Sequence, residues 1–257
     1  MSESAHSPVT VTGKRAIVIG GTSGIGEAIS LGFAADGADV VASSRRESAV
    51  ARTATQLREL GARTLECPCD VTDRTSLEHL RDQVREKFGE VDILVASQGA
   101  ISRQPLLTIS EEEWDRVLDI QLNGVRRLIQ TICPTMAANG SLIVISSLAA
   151  RLALENLPAY SAAKGGVEAL VRAGAQELAP DIRVNAIAPG FVITPQNEDV
   201  YAEGTTKRNR IEERCPLGRV GRREEIVGAS IYLGSDAASY TTGEMLTVDG
   251  GFLPSAL

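Results

Sequence analysis

Histidine and cysteine are scarce in this chain of 257 residues, and their scarcity removes whole classes of chemistry. His6 and His79 are the only histidines, one near the N-terminus and one in a polar helical stretch. A histidine-based triad or metal site needs an imidazole set among partners, so neither is expected. The cysteines are Cys67, Cys69, Cys133 and Cys215. Cys67-Pro68-Cys69 lacks C-x-x-C spacing and has no second pair at metal-site distance. They read as small apolar residues of buried elements, and no metal is expected. No apolar run reaches the roughly 18 residues that span a bilayer. Met1 to Thr12 lacks the basic and apolar regions of an export signal and is expected to be a disordered lead-in. The expected location is a reducing cytoplasm. Net charge is −7, from 26 basic and 33 acidic residues, and no basic block suggests a nucleic-acid footprint.

What is present is a chain 43% hydrophobic, long enough to bury a full core. Short apolar runs alternate with helical patterns. Strands are expected at Arg15–Ile19, Asp39–Ala42, Arg63–Cys69, Asp92–Ser97, Ser141–Ser146, Ile182–Ala188 and Glu244–Val248. Between them lie helices: one carries Ile25, Ile29 and Phe33 on one side and closes at Gly37, and the next runs to about Leu60. Another spans Asp73–Phe88, with Asp73 as N-cap and Gly89 as its end. Ser110-Glu111-Glu112-Glu113 opens a long helix whose apolar stripe runs from Trp114 to Ile132, and Pro158–Leu178 is a further helix. Strands apolar on both faces and separated by helices predict a single doubly wound α/β domain over residues 13–257. Its sheet is mostly parallel and seven-stranded, with helices on both faces.

Gly20-Gly21-Thr22-Ser23-Gly24-Ile25-Gly26 joins the first strand to the first helix. Glycines there permit a tight turn and a close approach to a pyrophosphate, which the helix N-terminus favours. The spacing is G-x-x-x-G-x-G. After the second strand a carboxylate would bind the ribose 2′-hydroxyl of NAD, whereas arginine accommodates the 2′-phosphate of NADP. The chain reads Ser43-Ser44-Arg45-Arg46, so NADP(H) is expected over NAD(H). The competing reading puts both arginines on a solvated helix start.

Tyr160 and Lys164 stand four residues apart, on one helical face. A free phenol titrates near about 10, and a neighbouring ammonium would lower that value. Such a pair also recurs by chance on helix surfaces.

In combination the motifs are specific. They are the glycine turn, Asp70-Val71 after the third strand, Gly99 after the fourth, Ser147, Tyr160 with Lys164, Asn185 ahead of Pro189-Gly190, and Val248-Asp249-Gly250-Gly251. Over residues 12 to 253 the chain resembles a short-chain dehydrogenase/reductase of the main single-domain type. The resemblance implies an oxidoreductase that interconverts a secondary alcohol and a ketone, with Tyr160 as the acid–base. Ser147 would hold the substrate oxygen, and Lys164 would bind the nicotinamide ribose and lower the tyrosine pKa. Gly20, Thr22, Ser23, Gly24, Ile25 and Gly26 would hold the pyrophosphate, with Ser44, Arg45 and Arg46 at the 2′-position. Asp70 and Val71 would contact adenine, Gly99 would let the backbone pass the cofactor, and Pro189, Gly190, Val192 and Thr194 would cradle the nicotinamide. A homotetramer is implied, in keeping with the small residues of the Tyr160 helix.

Two departures stand beside these matches. The family's N-N-A-G reads Ala96-Ser97-Gln98-Gly99, which costs some bracing of the sheet. The helical Asn that completes a proton relay to the lysine is replaced by Gln121, one methylene longer, with Asn123 on another side of the helix. Gln121 stays among the candidate catalytic residues. Two alternatives remain: a 3-oxoacyl-thioester reductase of the same family, and a catalytically weak dinucleotide-binding sensor or scaffold. An enoyl-thioester reductase needs a wider Tyr-to-Lys spacing, and Val167 fills that place.

Residues 194–220 have little periodicity and are expected to form a substrate lid. The lid carries Lys207, Arg208, Arg210 and Arg214, and Arg103 and Gln104 follow the Gly99 turn. They either attract an anionic small-molecule substrate or are balanced by Glu198, Asp199, Glu203, Glu212 and Glu213. Residues 101–114 are similar to those of sugar-acid dehydrogenases of the family. Leu148, Leu152 and Leu154 either wall the pocket or belong to the core.

Overall fold

Largely apolar runs four to ten residues long form the strands of the main sheet because their side chains can be buried on both of its faces. The computed structural model describes residues 7–255. Its strands are β1 (Arg15–Ile19), β2 (Asp39–Ser43), β3 (Val91–Ala96), β4 (Met136–Ile145), β5 (Ile182–Pro189), β6 (Val192–Ile193), β7 (Gly221–Arg222) and β8 (Met245–Val248). Six of them make one sheet in the order β2-β1-β3-β4-β5-β8, and every neighbouring pair is parallel. β6 and β7 pair separately.

The helices are α1 (Gly24–Ala35), α2 (Glu47–Glu59), α3 (Arg74–Phe88), α4 (Glu111–Leu118), α5 (Gly124–Thr131), α6 (Pro158–Glu177), α7 (Thr206–Arg214) and α8 (Val227–Gly234). Successive strand residues serve opposite cores. Ile17, Leu94, Leu142 and Val184 pack with Leu77 and Leu80 of α3, Leu128 of α5 and Val167 of α6. Val18, Val40, Ile93 and Ile143 pack with Ile29 and Phe33 of α1 and Leu233 of α8. A third, smaller cluster of Leu148, Tyr201, Ile211, Cys215, Val220 and Phe252 lies beneath the lid segment. The Asp73 carboxylate accepts from Thr75 N (2.8 Å) and caps α3, which ends at Gly89.

Three expectations are corrected. The sheet has six strands, because Arg63–Cys69 is not one. That segment lies beside β2 but is bonded to it only at its ends, through Val40 N to Arg63 O (3.1 Å) and Cys69 N to Ser44 O (3.0 Å). Pro68 has no N–H to donate, and the Ser43 hydroxyl reaches Cys67 O (2.6 Å) where a ladder bond would stand. Residues 7–12 are not a loose lead-in, since Val11 is fully buried and its N–H reaches the Asp36 carboxylate (2.6 Å). Residues 1–6, which include His6, lie outside the described residues. The long helix from Ser110 is interrupted by a π-helical turn, Asp119–Asn123, between α4 and α5. π-bulges concentrate at functional sites, and this one contains Gln121.

All four cysteines are buried and unpaired. Burial pushes the Cys69 and Cys133 thiols up to about 12, so neither is a thiolate at neutral pH. Among the described residues no helix is long and apolar enough to cross a membrane.

Candidate active site

The carboxyl ends of six parallel strands converge on one edge of the sheet, where open α/β folds place their ligands. A single cleft of about 1480 Å³ opens there. Sites for one small ligand hold about 300–1,000 Å³, so this cleft has room for a dinucleotide with a second molecule. It is lined by every candidate residue: Gly20, Thr22, Ser23, Gly24, Ile25, Gly26, Ser44, Arg45, Arg46, Asp70, Val71, Gly99, Gln121, Ser147, Tyr160, Lys164, Pro189, Gly190, Val192 and Thr194.

The glycine turn is shaped by close backbone contact. Gly20 has φ 73°, and a side chain there would lie 2.6 Å from Ser97 O and 2.8 Å from Gln98 N. A side chain at Gly26 would collide with the carbonyl of Gly20. α1 therefore starts against β1 and β3 with its N-terminus at the cleft, and no side chain caps it. Uncapped N–H groups and the helix dipole suit a pyrophosphate. Thr22 donates to the Ser44 hydroxyl (2.7 Å), and Arg52 donates to Thr22 O (2.8 Å), which fixes the turn against β2. Arg45 and Arg46 are exposed at the cleft and make no ion pair with any described residue.

At the other end, Ser147 follows β4 and its hydroxyl accepts from Ala149 N (3.1 Å). Tyr160 lies in the first turn of α6, near the Ser147 side chain at the cleft. Burial raises its pKa, the Ser147 hydroxyl opposes this, and nearby Tyr201 adds to the rise. Lys164 sits 5.6 Å from the Tyr160 ring, and its ammonium donates to Ile145 O (2.6 Å). Burial pulls that lysine down to about 7. Here the expected lowering of the tyrosine by Lys164 is corrected. Burial raises the phenol and lowers the lysine, so desolvation sets the direction of both shifts. As arranged, the dyad is a phenol with a proton to give beside a second hydroxyl.

The Gln121 amide donates to Ala100 O (2.9 Å), and its carbonyl oxygen is buried without a partner. No hydrogen bond joins it to Lys164. Its contact is with the turn after β3. Asn123 donates to Asp119 instead (3.3 Å). Behind Ser147, the Glu168 carboxylate accepts from Ser146 (3.4 Å) and from Arg151 (3.2 Å), tying α6 to the end of β4. The sequence reading missed Glu168 and Tyr201. Glu168 is one helical turn beyond Lys164 and could have been found by its i+4 position. Tyr201 stands in a segment without periodicity, and nothing local marks it.

Dinucleotide-sized space, a glycine turn against a helix N-terminus and a Ser–Tyr–Lys cluster together define a nicotinamide-dependent oxidoreductase site. Comparison with known proteins agrees. A family model described as "Enoyl-(Acyl carrier protein) reductase" matches residues 19–253. The chain is 40% identical over 243 residues to cis-4-hydroxycyclohexanecarboxylate dehydrogenase of Sinomonas cyclohexanicum, covering 92% of this chain and 95% of that one. It is 34% identical over 244 residues to 3-oxoacyl-(acyl-carrier-protein) reductase FabG of Thermotoga maritima, covering 94% and 98%. The solved gluconate 5-dehydrogenase of Burkholderia cenocepacia, in complex with NADP and tartrate, superposes with TM-score 0.91 at 29% identity, covering 96% and 98%. The chain belongs to the short-chain dehydrogenase/reductase family and is an oxidoreductase that acts on CH–OH groups with a nicotinamide cofactor.

Proposed function

We propose that the protein is an NADP(H)-dependent dehydrogenase/reductase that interconverts a secondary alcohol and a ketone. The observation that carries this reading is the polarity of the single cleft, with Ser44, Arg45 and Arg46 at one end and Ser147, Tyr160 and Lys164 at the other. When bound, the nicotinamide cofactor supplies or takes up the hydride. The glycine turn, the α1 N-terminus and the two arginines bind it, and Asp70 and Val71 face its adenine. Pro189, Gly190, Val192 and Thr194 frame the nicotinamide end, where Asn197 braces the loop by accepting from Thr194 N (2.8 Å) and donating to Val192 O (3.0 Å). Ser147 fixes the substrate oxygen by a hydrogen bond. Tyr160 gives that oxygen its proton in reduction and takes it back in oxidation. Lys164 lies within reach of the same face of α6 and orients the ribose.

A substrate panel run with NADPH and with NADH tests the cofactor and the reaction together. Charge-assisted bonds from guanidinium to phosphate are worth about 1.5–3 kcal/mol each, so kcat/KM should favour NADPH by about tenfold or more. The double variant Arg45→Ala, Arg46→Ala should bring the two cofactors close to parity by weakening NADPH alone. Equal use of both by the unaltered enzyme would oppose the assignment. Failure to turn over any carbonyl would return the protein to the sensor reading. A second reading, 3-oxoacyl-thioester reduction, is favoured by the near full-length match to the Thermotoga enzyme.

We further propose a homotetramer built on α4, α5 and α6. Gly166 is explained within the chain, since a side chain there would meet Leu122 at 3.0 Å. Gly165 faces open space, and Ala162, Ala169 and Ala173 are exposed on the same helix. A flat face of small residues lets two helices approach closely. Light scattering at micromolar concentration should give four times the 27.2 kDa chain mass; a monomer would count against this assembly.

A further inference from the structure

The lid places unneutralised positive charge inside the cleft. Of its basic residues, Arg208 is paired to Glu212 (2.7 Å) and to Glu203 (3.9 Å) and Arg219 to Glu225 (2.6 Å), and neither arginine lines the cleft. Lys207, Arg210 and Arg214 do line it, joined by Arg103 from the turn after β3. None of these four makes an ion pair or a hydrogen bond with any described residue. The lid carboxylates Glu198, Asp199, Glu203, Glu212 and Glu213 all lie outside the lining, and Glu155 is the one carboxylate at this end. The reading in which lid charges cancel one another therefore fails inside the cleft. Four cations face one anion in a protein whose net charge is −7.

Their placement is ordered. Tyr201, Phe191 and Phe252 form a chain of edge-packed rings, with centroids 6.2 Å and 4.8 Å apart. A cation rests on each end, Lys207 5.5 Å from the Tyr201 ring and Arg214 4.4 Å from the Phe252 ring. The Arg214 Nε is buried without a partner. Arg103 is close enough to act on both Tyr201 and Lys207, where its charge lowers each. Tyr201 in turn lies close enough to Tyr160 to affect its ionisation. Tyr201 thus carries Lys207 on its ring and lines the same cleft as Tyr160 and Arg103. Like charges gathered on one wall repel, and an anion seated among them relieves the repulsion.

We infer that this wall is a carboxylate subsite, and that the substrate is an oxo acid or hydroxy acid whose carboxylate is separated from the reacting carbon by several bonds. A 2-oxo acid would set its carboxylate against Ser147 and Tyr160, where the only cation, Lys164, is already committed to Ile145 O. The separation follows from Lys207 being seated on the Tyr201 ring, whereas the cation at the Tyr160 ring is Lys164. In the reduction, the carbonyl π bond breaks, hydride from the reduced nicotinamide forms the new C–H bond, and the Tyr160 proton forms the O–H bond. The carboxylate is unchanged. This inference deepens the proposed alcohol–ketone chemistry and rests on it.

The test uses one chain length. Reduction with NADPH is measured for 5-oxohexanoate, its methyl ester, 2-hexanone and 2-oxohexanoate. Arg103 and Lys207 are exposed at the cleft, so their attraction should favour 5-oxohexanoate over 2-hexanone by about tenfold in kcat/KM. The double variant Arg103→Gln, Lys207→Gln should bring that ratio close to one, and added salt should lower it too. Arg222→Gln, exposed and outside the cleft, should leave the ratio as it is. Equal kcat/KM for the acid and for 2-hexanone would overturn the subsite and leave the alcohol–ketone reading standing. Preference for 2-oxohexanoate would overturn the spacing. If no ketone is reduced, the proposed reaction fails, and calorimetric titration of the NADP⁺-loaded protein with hexanoate and hexanamide decides the subsite. Tighter hexanoate binding, lost in the double variant, keeps it; equal binding removes it.

Discussion

Tyr160→Phe should lower kcat for ketone reduction by about 10²–10⁴-fold, the usual contribution of a positioned acid–base group. The substitution removes one oxygen and keeps the ring, so α6 and the Lys164 bond to Ile145 O stay in place. NADPH affinity, followed by fluorescence titration, should change by less than about threefold, because the phenol oxygen faces the substrate rather than the phosphates. The residual rate reports what Ser147 and approximation alone achieve. The pH profile of the unaltered enzyme makes the same point from the other side. Burial raises the Tyr160 pKa, so the phenol persists through neutrality and the phenolate forms only in alkaline solution. Reduction uses the phenol and should hold its rate from about pH 7 to about pH 9; oxidation uses the phenolate and should rise with pH across the same range. An activity of Tyr160→Phe within tenfold of the parent would remove the tyrosine from the mechanism.

Gly20→Ala should be the most damaging of the single-methyl substitutions at the site. Two costs combine. Alanine at positive φ is strained by about 1–2 kcal/mol. Its methyl group would also lie 2.6 Å from Ser97 O, and overpacking against backbone costs about 1–3 kcal/mol. The sum, about 2–5 kcal/mol, corresponds to a Tm about 5–15 °C lower for a chain of this size. Relief requires the turn to move away from β3, which carries the α1 N-terminus off the pyrophosphate and should weaken NADPH at least about 100-fold. Gly61→Ala is the control: φ there is 86°, with nothing within 4 Å of the new methyl. It should show the strain without the collision and leave NADPH affinity intact. If thermal unfolding and cofactor titration give the two variants the same losses, close approach at Gly20 plays no special part.

The sequence disclosed those parts of the molecule that local chemistry determines. Glycines at 20, 24 and 26 between an apolar run and a helix leave few alternatives to a strand–turn–helix corner. The Asp73 cap and the Gly89 stop fix α3 to the residue. The i, i+4 spacing of Tyr160 and Lys164 puts both in one cleft, as read. What escaped depends on depth and on distant neighbours. Arg63–Cys69 has a strand's composition, but Pro68 and the Ser43 side chain decide its pairing. The Tyr160 phenol is raised rather than lowered because it is desolvated, and spacing carries no information about depth. Tyr201 joins the site only because α7 and the preceding turn fold back over it. The π-helical turn at Asp119–Asn123 gives no compositional sign and decides where the Gln121 amide points.

The small cluster beneath the lid gives that segment a stability of its own. Leu148, Tyr201, Ile211, Cys215, Val220 and Phe252 pack on one another and not into either large core. Packed on so small a cluster, the segment is expected to be less stable than the sheet. In hydrogen exchange the amides of α7 should open by a partial event, well before those of β3 and β4. Heritable change has the same freedom: a new residue on the lid's inner wall alters which molecule is accepted without disturbing the sheet that holds the hydride chemistry. A fold divided in this way can keep one reaction and exchange its clientele.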